Sequence, residues 1–179
     1  KKRANAIKIL ARYIYKEVEK MDVRLISFNS GKMHNAIPRD GRFVIAVPSD
    51  RKEEARVDWN IFASEVEEEF HVSDTQMVWN MQSTEAQPVI EKNVADRFVR
   101  ALQAVDNGVF AMCQDKALEN MVETSSNIAS IITEEDKITC VASQRSNVMS
   151  NLDNQCNTVK ALFELAGAEV VQNDGYPAW

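Results

Sequence analysis

The segment MVETSSNIASIITEEDKITCVASQR, residues 121–145, decides the fold class. Runs rich in β-branched residues predict two strands here, at about 121–133 and 137–145. The acidic turn Glu134-Glu135-Asp136-Lys137 joins them, so the two strands should pair antiparallel. Apolar residues at helical spacing then predict a helix over about 148–166.

The order of elements around this hairpin occurs twice along the chain. A helix at 93–106, with Asn93 as its N-cap, should precede the hairpin, and a closing strand at 168–171 should follow the last helix. The first half has the same order, in a helix at 3–20, strands at 24–28 and 42–47, a helix at about 50–71 and a strand at 76–82.

Two details of the first half are expected. The strand at 42–47 carries apolar residues on both faces, which predicts a central strand or one that is buried on both sides. Asp50 should cap the helix that follows, with Glu53 at the position of a capping-box acid.

These patterns predict an α+β fold made of two ferredoxin-like βαββαβ halves, with helices packed on one face of an antiparallel sheet. We expect the halves at 1–84 and 85–179, divided by a polar link that contains Pro88. The first strand of the first half would have to lie before Lys1, so we expect the chain to be a piece of a longer protein.

Composition excludes several classes of function. The net charge is −6, from 27 acidic and 21 basic residues, which argues against a nucleic-acid binder. No apolar run approaches the ~18 residues of a transmembrane helix. The three cysteines are widely spaced and odd in number, which favours a reducing, cytoplasmic location over a disulfide framework.

The chain shows no complete catalytic site. Its two histidines, His34 and His71, have no clustered partners, and no zinc-binding or phosphate-binding motif is present. Cys140 lies on an apolar strand with no histidine nearby in the sequence, which is typical of an inert core thiol. A cysteine hydrolase built on Cys140 is therefore the poorest of the functional hypotheses.

Three polar stretches stand out from ordinary loops, at 30–40, 123–127 and 144–147. Arg145 and the asparagines of these stretches could bind a carboxylate and a carbonyl group, because a guanidinium pairs bidentately with a carboxylate. A surface arginine beside turn-forming residues is the other interpretation of the same pattern.

With these stretches the sequence resembles the aminoacyl-histidine dipeptidases, or Xaa-His dipeptidases, of the co-catalytic zinc peptidases. The most specific pieces are Asn-Ala-Ile-Pro at 35–38 and Gly-Tyr-Pro-Ala-Trp at 175–179. The other matching stretches are at 3–10, 24–29, 123–127, 144–146 and 165–168, in the family's order.

The resemblance implies that this chain is the lid, or dimerisation, domain of a homodimeric enzyme. The parent enzyme would hydrolyse Xaa-His dipeptides with two zinc ions bound in a catalytic domain outside this chain, and the segment alone would be inactive. By the same resemblance, Arg145 would contact the terminal carboxylate of the substrate, and Asn35 and Asn127 would make polar contacts. Thr124 and Tyr176 would be structural.

A second hypothesis belongs to a different class of function. The chain could be a stand-alone, non-enzymatic ferredoxin-like module that binds a small ligand or a partner protein, because a fold does not determine a function.

Overall fold

The structure is a computed structural model that describes residues 3–173 and 175. Its helices and strands confirm the α+β class. Their bounds are α1 (Ala6–Lys20), β1 (Arg24–Ser30), β2 (Gly41–Ala46), α2 (Lys52–Phe70), α3 (Lys92–Ala104), β3 (Gly108–Met112), β4 (Val122–Thr133), β5 (Ile138–Ser146) and α4 (Met149–Leu165).

The five strands form one antiparallel sheet. Its order is β2-β1-β4-β3, and β5 pairs with β4. The predicted hairpin is present as β4 and β5, whose ladder runs from the pair Thr124–Ser146 to the pair Thr133–Ile138. None of the described helices is long and apolar enough to cross a membrane.

The helices share one hydrophobic core with the sheet. Ile7, Phe62, Leu102 and Phe163, one from each of the four helices, lie in the same buried cluster. The sheet contributes a further set of buried side chains, namely Leu25, Phe28, Ile128 and Ile131. This core includes residues from both predicted halves of the chain.

The strand β2 occupies the end of the sheet, so the prediction of a central strand or one buried on both sides was wrong. Phe43, Val44 and Ile45 are all partly buried, and of the three only Phe43 and Ile45 are among the side chains packed against the core. The apolar residues on both faces of β2 thus do not mean that this strand lies inside the sheet. One of its faces packs against the core, and the other is half-exposed.

Neither 76–82 nor 168–171 is a strand in the structure. Met77, Trp79 and Met81 do pack against the core, while the residues between them are exposed, so the alternation predicted for this segment is real. A strand also needs a hydrogen-bonded neighbour, and neither segment has one among the described residues.

Two predicted helix caps were also wrong. A short 3-10 turn precedes α2, which begins at Lys52 without a side-chain cap, and Glu53 instead lies 3.6 Å from the guanidinium of Arg56. At α3 the cap is Glu91 and not Asn93. The Glu91 carboxylate accepts hydrogen bonds from two backbone N–H groups of the first turn, at 3.0 and 2.9 Å, and these bonds lower its pKa.

One buried carboxyl group should make the stability of the fold depend on pH. Glu17 of α1 is 2% exposed, and its Oε2 atom has no hydrogen-bond partner within the described part of the chain. Desolvation, with a smaller contribution from the charge of Asp58, raises the pKa of Glu17 to about 7. The folded protein thus favours the protonated carboxyl, and stability is lost as the pH rises from about 4.5 through 7.

Glu17→Gln should therefore stabilise the protein above pH 7, by up to about 3 kcal/mol, and should give no gain at pH 4. Urea titrations at both pH values measure the difference. The exposed Glu67→Gln is the control for removing a carboxylate from the surface. An equal effect of Glu17→Gln at the two pH values would contradict the assignment.

Candidate functional site

The pairing of β4 is interrupted on the side that faces β1 and β3. The ladder with β3 ends at Ser126, and the pairing with β1 is at Ile131. Side chains bind the backbone of Ile128 in this gap. Its N–H donates to Asn107 Oδ1 at 2.9 Å, and its carbonyl accepts from Asn5 Nδ2 at 2.9 Å. Asparagine amides thus replace a neighbouring strand here.

We call Asn5, Asn107 and Asn127 the asparagine cluster. Asn5 is 3% exposed and is the N-cap of α1, because its Oδ1 accepts from the backbone N–H of Lys8 at 3.2 Å. Its Nδ2 lies 3.2 Å from Asn107 Oδ1 and 3.1 Å from Asn127 Oδ1. The cluster ties the start of α1 to the α3–β3 turn and to β4.

Asn127 also holds the loop between β1 and β2, residues 31–40. Its Nδ2 donates to the carbonyl of Ala36 at 2.8 Å. The carbonyl of Pro38 accepts from Ala6 N at 3.0 Å, which fixes the far end of the loop to α1. Asn35 precedes Ala36 in this loop and is exposed. The structure therefore places Asn35 next to the residue that Asn127 binds.

The beginning of this loop needs a glycine. Gly31 has a φ of +71°, in the left-handed region that residues with a side chain rarely adopt. A Cβ at this position would lie 2.0 Å from the carbonyl oxygen of Ala129 on β4. The loop can thus leave β1 in close contact with β4 only if position 31 has no side chain.

Arg145 lies on the same face of the sheet as Asn127. It pairs with Ser125 across the β4–β5 ladder, and Asn127 pairs with Ser143, so Arg145 and Asn127 are diagonal neighbours. Such neighbours are about 7–8 Å apart. Gln144 faces the other way, since its Nε2 donates to Ser126 Oγ at 3.1 Å and its Oε1 lies 3.9 Å from the Cys156 thiol of α4.

We use the name polar face for five residues. Ser125, Asn127, Ser143 and Arg145 share one face of the β4–β5 hairpin, and Asn35 lies in the loop that Asn127 binds through Ala36. Arg145 is an exposed residue of this face, which also carries amide and hydroxyl groups. Asn127 already uses its oxygen and one N–H inside the protein, which leaves one N–H to donate. The arrangement suits a ligand with a carboxylate and a carbonyl oxygen.

Asn5 and Asn107 were missed as residues that position this face. An asparagine directly before an apolar helix pattern is an N-cap signal, which Asn5 shows, but the long-range bonds of both residues have no signature in the sequence. Thr124, predicted to be structural, is buried, with its hydroxyl 2.8 Å from that of Ser146. Tyr176 lies outside the described residues.

The remaining sequence candidates do not form a second site. Burial raises the pKa of the Cys140 thiol to about 12, which disfavours the thiolate that a cysteine hydrolase needs. His34 and His71 are both exposed, and His71 Nδ1 lies 2.7 Å from the carbonyl of Glu68 at the end of α2. Within residues 3–173 and 175, no group of three or more His, Cys, Asp or Glu side chains could hold a metal ion.

The chain is similar in sequence and in structure to two known dipeptidases. The chain is 29% identical over 177 residues to the cytosol non-specific dipeptidase of Escherichia coli K12. Its structure matches that of aminoacylhistidine dipeptidase from Vibrio alginolyticus with a TM-score of 0.92 and 30% sequence identity, over 99% of this chain. No protein-family model matches.

The chain spans 36% of the length of each of these two relatives. The matches nevertheless cover nearly all of its own residues, in sequence and in fold. The chain is therefore a homologue of one part of these dipeptidases, and the resemblance to the aminoacyl-histidine dipeptidases is confirmed.

Proposed function

We propose that this chain is the lid, or dimerisation, domain of a zinc-dependent dipeptidase that hydrolyses Xaa-His dipeptides. In this proposal Arg145 binds the terminal carboxylate of the substrate, and Asn127 and Asn35 donate to its carbonyl groups. The observation that carries the proposal is the polar face, where Arg145 and the loop-binding Asn127 are diagonal neighbours on two paired strands. The names of the two relatives support the same class of reaction.

The polar face would act by orienting the substrate. A guanidinium forms two parallel, charge-assisted hydrogen bonds with a carboxylate. Its hydrogen bonds to a neutral amide are weaker. In a longer peptide an amide would stand at the position of the dipeptide's carboxylate. Binding at Arg145 would therefore select dipeptides by length and hold the scissile bond at a fixed distance from this residue.

The chemical step is assigned to residues outside this chain. The described residues include no metal-binding group, so they do not fit the zinc ions of such an enzyme, which other parts of the protein would have to bind. The segment alone would then be inactive. A homodimer and a cytosolic location complete the proposal, and the name of the Escherichia coli relative supports the location.

Arg145→Ala in the full-length enzyme should raise KM for a dipeptide by about 10- to 100-fold, because a hydrogen bond to a charged group contributes about 1.5–3 kcal/mol. Arg145→Lys should recover part of the loss, since it restores the charge without the planar fork. Steady-state kinetics on a histidine-containing dipeptide measures both effects.

The control is Arg100→Ala, which removes the same charge from the exposed surface of α3, where Arg100 pairs with Glu19 at 2.6 Å. This variant should leave KM within about twofold, because an exposed ion pair contributes little. Unchanged KM and kcat in Arg145→Ala would remove the role assigned to Arg145.

A further inference from the structure

The strand β3 borders the polar face on the side away from β5. Val109 of β3 pairs with Ser125 of β4, and Ser125 pairs in turn with Arg145 of β5. Residues that pair across neighbouring strands point to the same face of the sheet. Val109, Ser125 and Arg145 therefore form one row across three strands, which we call the three-strand row. The outer two members are about 10 Å apart, since each strand spacing is about 4.8 Å.

Val109 brings an exposed apolar side chain to this row. It is 58% exposed, and the next residue, Phe110, is 39% exposed. The register between β3 and β4 shifts at Phe110, which forms a bulge. A strand with one packed face normally buries every second side chain, so two consecutive exposed apolar residues depart from that pattern. Bulges are frequent beside functional sites, where they change the direction of a side chain.

The start of β3 is held in place by the asparagine cluster. Asn107, two residues before Val109, accepts a hydrogen bond from the backbone N–H of Ile128 at 2.9 Å and one from Asn5 Nδ2 at 3.2 Å. These bonds tie the beginning of β3 to β4 and to α1. Val109 thus has a fixed place beside Ser125, and a ligand that binds there need not order this part of the chain.

We propose that Val109 is a specificity-determining residue, which contacts the side chain of the C-terminal residue of a bound dipeptide. The inference rests on the proposed function, in which Arg145 binds the carboxylate of that same residue. The carboxylate and the side chain are bonded to one Cα, and a whole residue of extended chain spans only about 3.3–3.6 Å. A residue anchored at Arg145 therefore lies over Ser125, with its side chain within reach of Val109.

The chemistry of valine determines which side chains this contact favours. Val109 offers neither a hydrogen bond nor a charge, so it stabilises apolar groups by removing them from water. Aliphatic side chains and the neutral imidazole ring of histidine benefit from such a contact. A carboxylate side chain would lose hydration against Val109 without gaining a partner there. The three-strand row thus favours dipeptides that end in an uncharged, sizeable residue over those that end in glycine or glutamate.

The test compares Gly-His, Gly-Gly and Gly-Glu as substrates of the full-length, zinc-loaded protein at pH 8, where imidazole is neutral. Val109→Ala should lower the ratio of kcat/KM for Gly-His to that for Gly-Gly by about 3- to 10-fold, because methyl groups that contact the ring are removed. Val109→Lys should raise the ratio for Gly-Glu to Gly-His by at least about 10-fold, since its ammonium group can pair with the glutamate side chain. These ratios do not depend on the fraction of each sample that is folded.

Val57→Lys is the matched control, because Val57 is 56% exposed on α2 and lies outside the three-strand row. It should leave both ratios within about twofold. Unchanged ratios in both Val109 variants, with all three dipeptides still hydrolysed, would overturn this inference and leave the proposed function intact. A changed sedimentation coefficient with unchanged ratios would assign Val109 to a protein interface and would also overturn it. A wild-type protein that hydrolyses none of the three would refute the proposed function and this inference together.

Discussion

Replacing Asn5 by alanine is expected to lower the free energy of unfolding by about 2–4 kcal/mol, one of the two largest effects that the structure predicts. Loss of the N-cap of α1 accounts for about 1 kcal/mol of this. The remainder comes from the buried carbonyl of Ile128 and the partly buried Oδ1 of Asn127, which both lose the Asn5 amide as their donor. Urea unfolding followed by circular dichroism measures the change.

Two further variants separate these contributions. Asn5→Ser keeps a capping oxygen but lacks the amide donors, so it should retain the cap and still lose about 1–3 kcal/mol. Asn93→Ala removes an exposed asparagine near the start of α3 that is not the cap of that helix, and it should change stability by less than about 0.5 kcal/mol. Equal effects of Asn5→Ala and Asn93→Ala would show that the asparagine cluster does not stabilise the fold.

The second large effect is expected from Gly31→Ala, which should lower the free energy of unfolding by about 2–5 kcal/mol. A left-handed φ costs a residue with a side chain about 1–2 kcal/mol, and forcing atoms into a packed place adds about 1–3 kcal/mol. The new Cβ would lie 2.0 Å from Ala129 O, so the loop must move away from β4. That movement should break the bond from Asn127 to Ala36 and displace Asn35.

Gly108→Ala is the matched control for this variant. Gly108 also has a positive φ, of +121°, but a Cβ there would meet no atom within 4 Å. It therefore reports a conformational cost without a clash, at a φ that lies farther from the left-handed region than that of Gly31. Of the two variants, only Gly31→Ala should move the loop 31–40, so under the proposed function it alone should raise KM for a dipeptide in the full-length protein. An equal KM in the two variants would contradict the close approach of the loop to β4.

The elements with strong side-chain periodicity were predictable from the sequence. The stripe of Ala55, Trp59, Phe62 and Val66 on α2 is buried as its spacing indicates. The hairpin at β4 and β5 follows from two β-branched runs around a short turn. For α2, the local spacing alone indicates which face is buried.

The errors arose where a distant partner decides the outcome. The segment 76–82 has the alternation of a strand, but alternation does not show whether a neighbour is present to bond it. The position of β2 at the end of the sheet depends equally on its neighbours. At α3, Glu91 and Asn93 are both polar residues near the first turn, and only the path of the chain decides which one caps it.

The candidate site shows the same division. Arg145 and Asn127 were singled out by their residue types, and the register of the hairpin places them on one face. Asn5 and Asn107 lie far from them in the sequence, and their amides reach β4 where its pairing with β3 and β1 is interrupted. That gap is a property of the whole sheet, which no local pattern reports.

The central claim is that this chain is part of an enzyme that recognises the free carboxylate of a dipeptide. The most direct measurement compares a histidine-containing dipeptide with its C-terminal amide as substrates of the full-length, zinc-loaded protein. We predict hydrolysis of the dipeptide, with kcat/KM at least about 10-fold above that of the amide, since a neutral amide cannot form the charge-assisted pair with Arg145. Equal values for the two substrates, or no hydrolysis of the dipeptide, would contradict the claim.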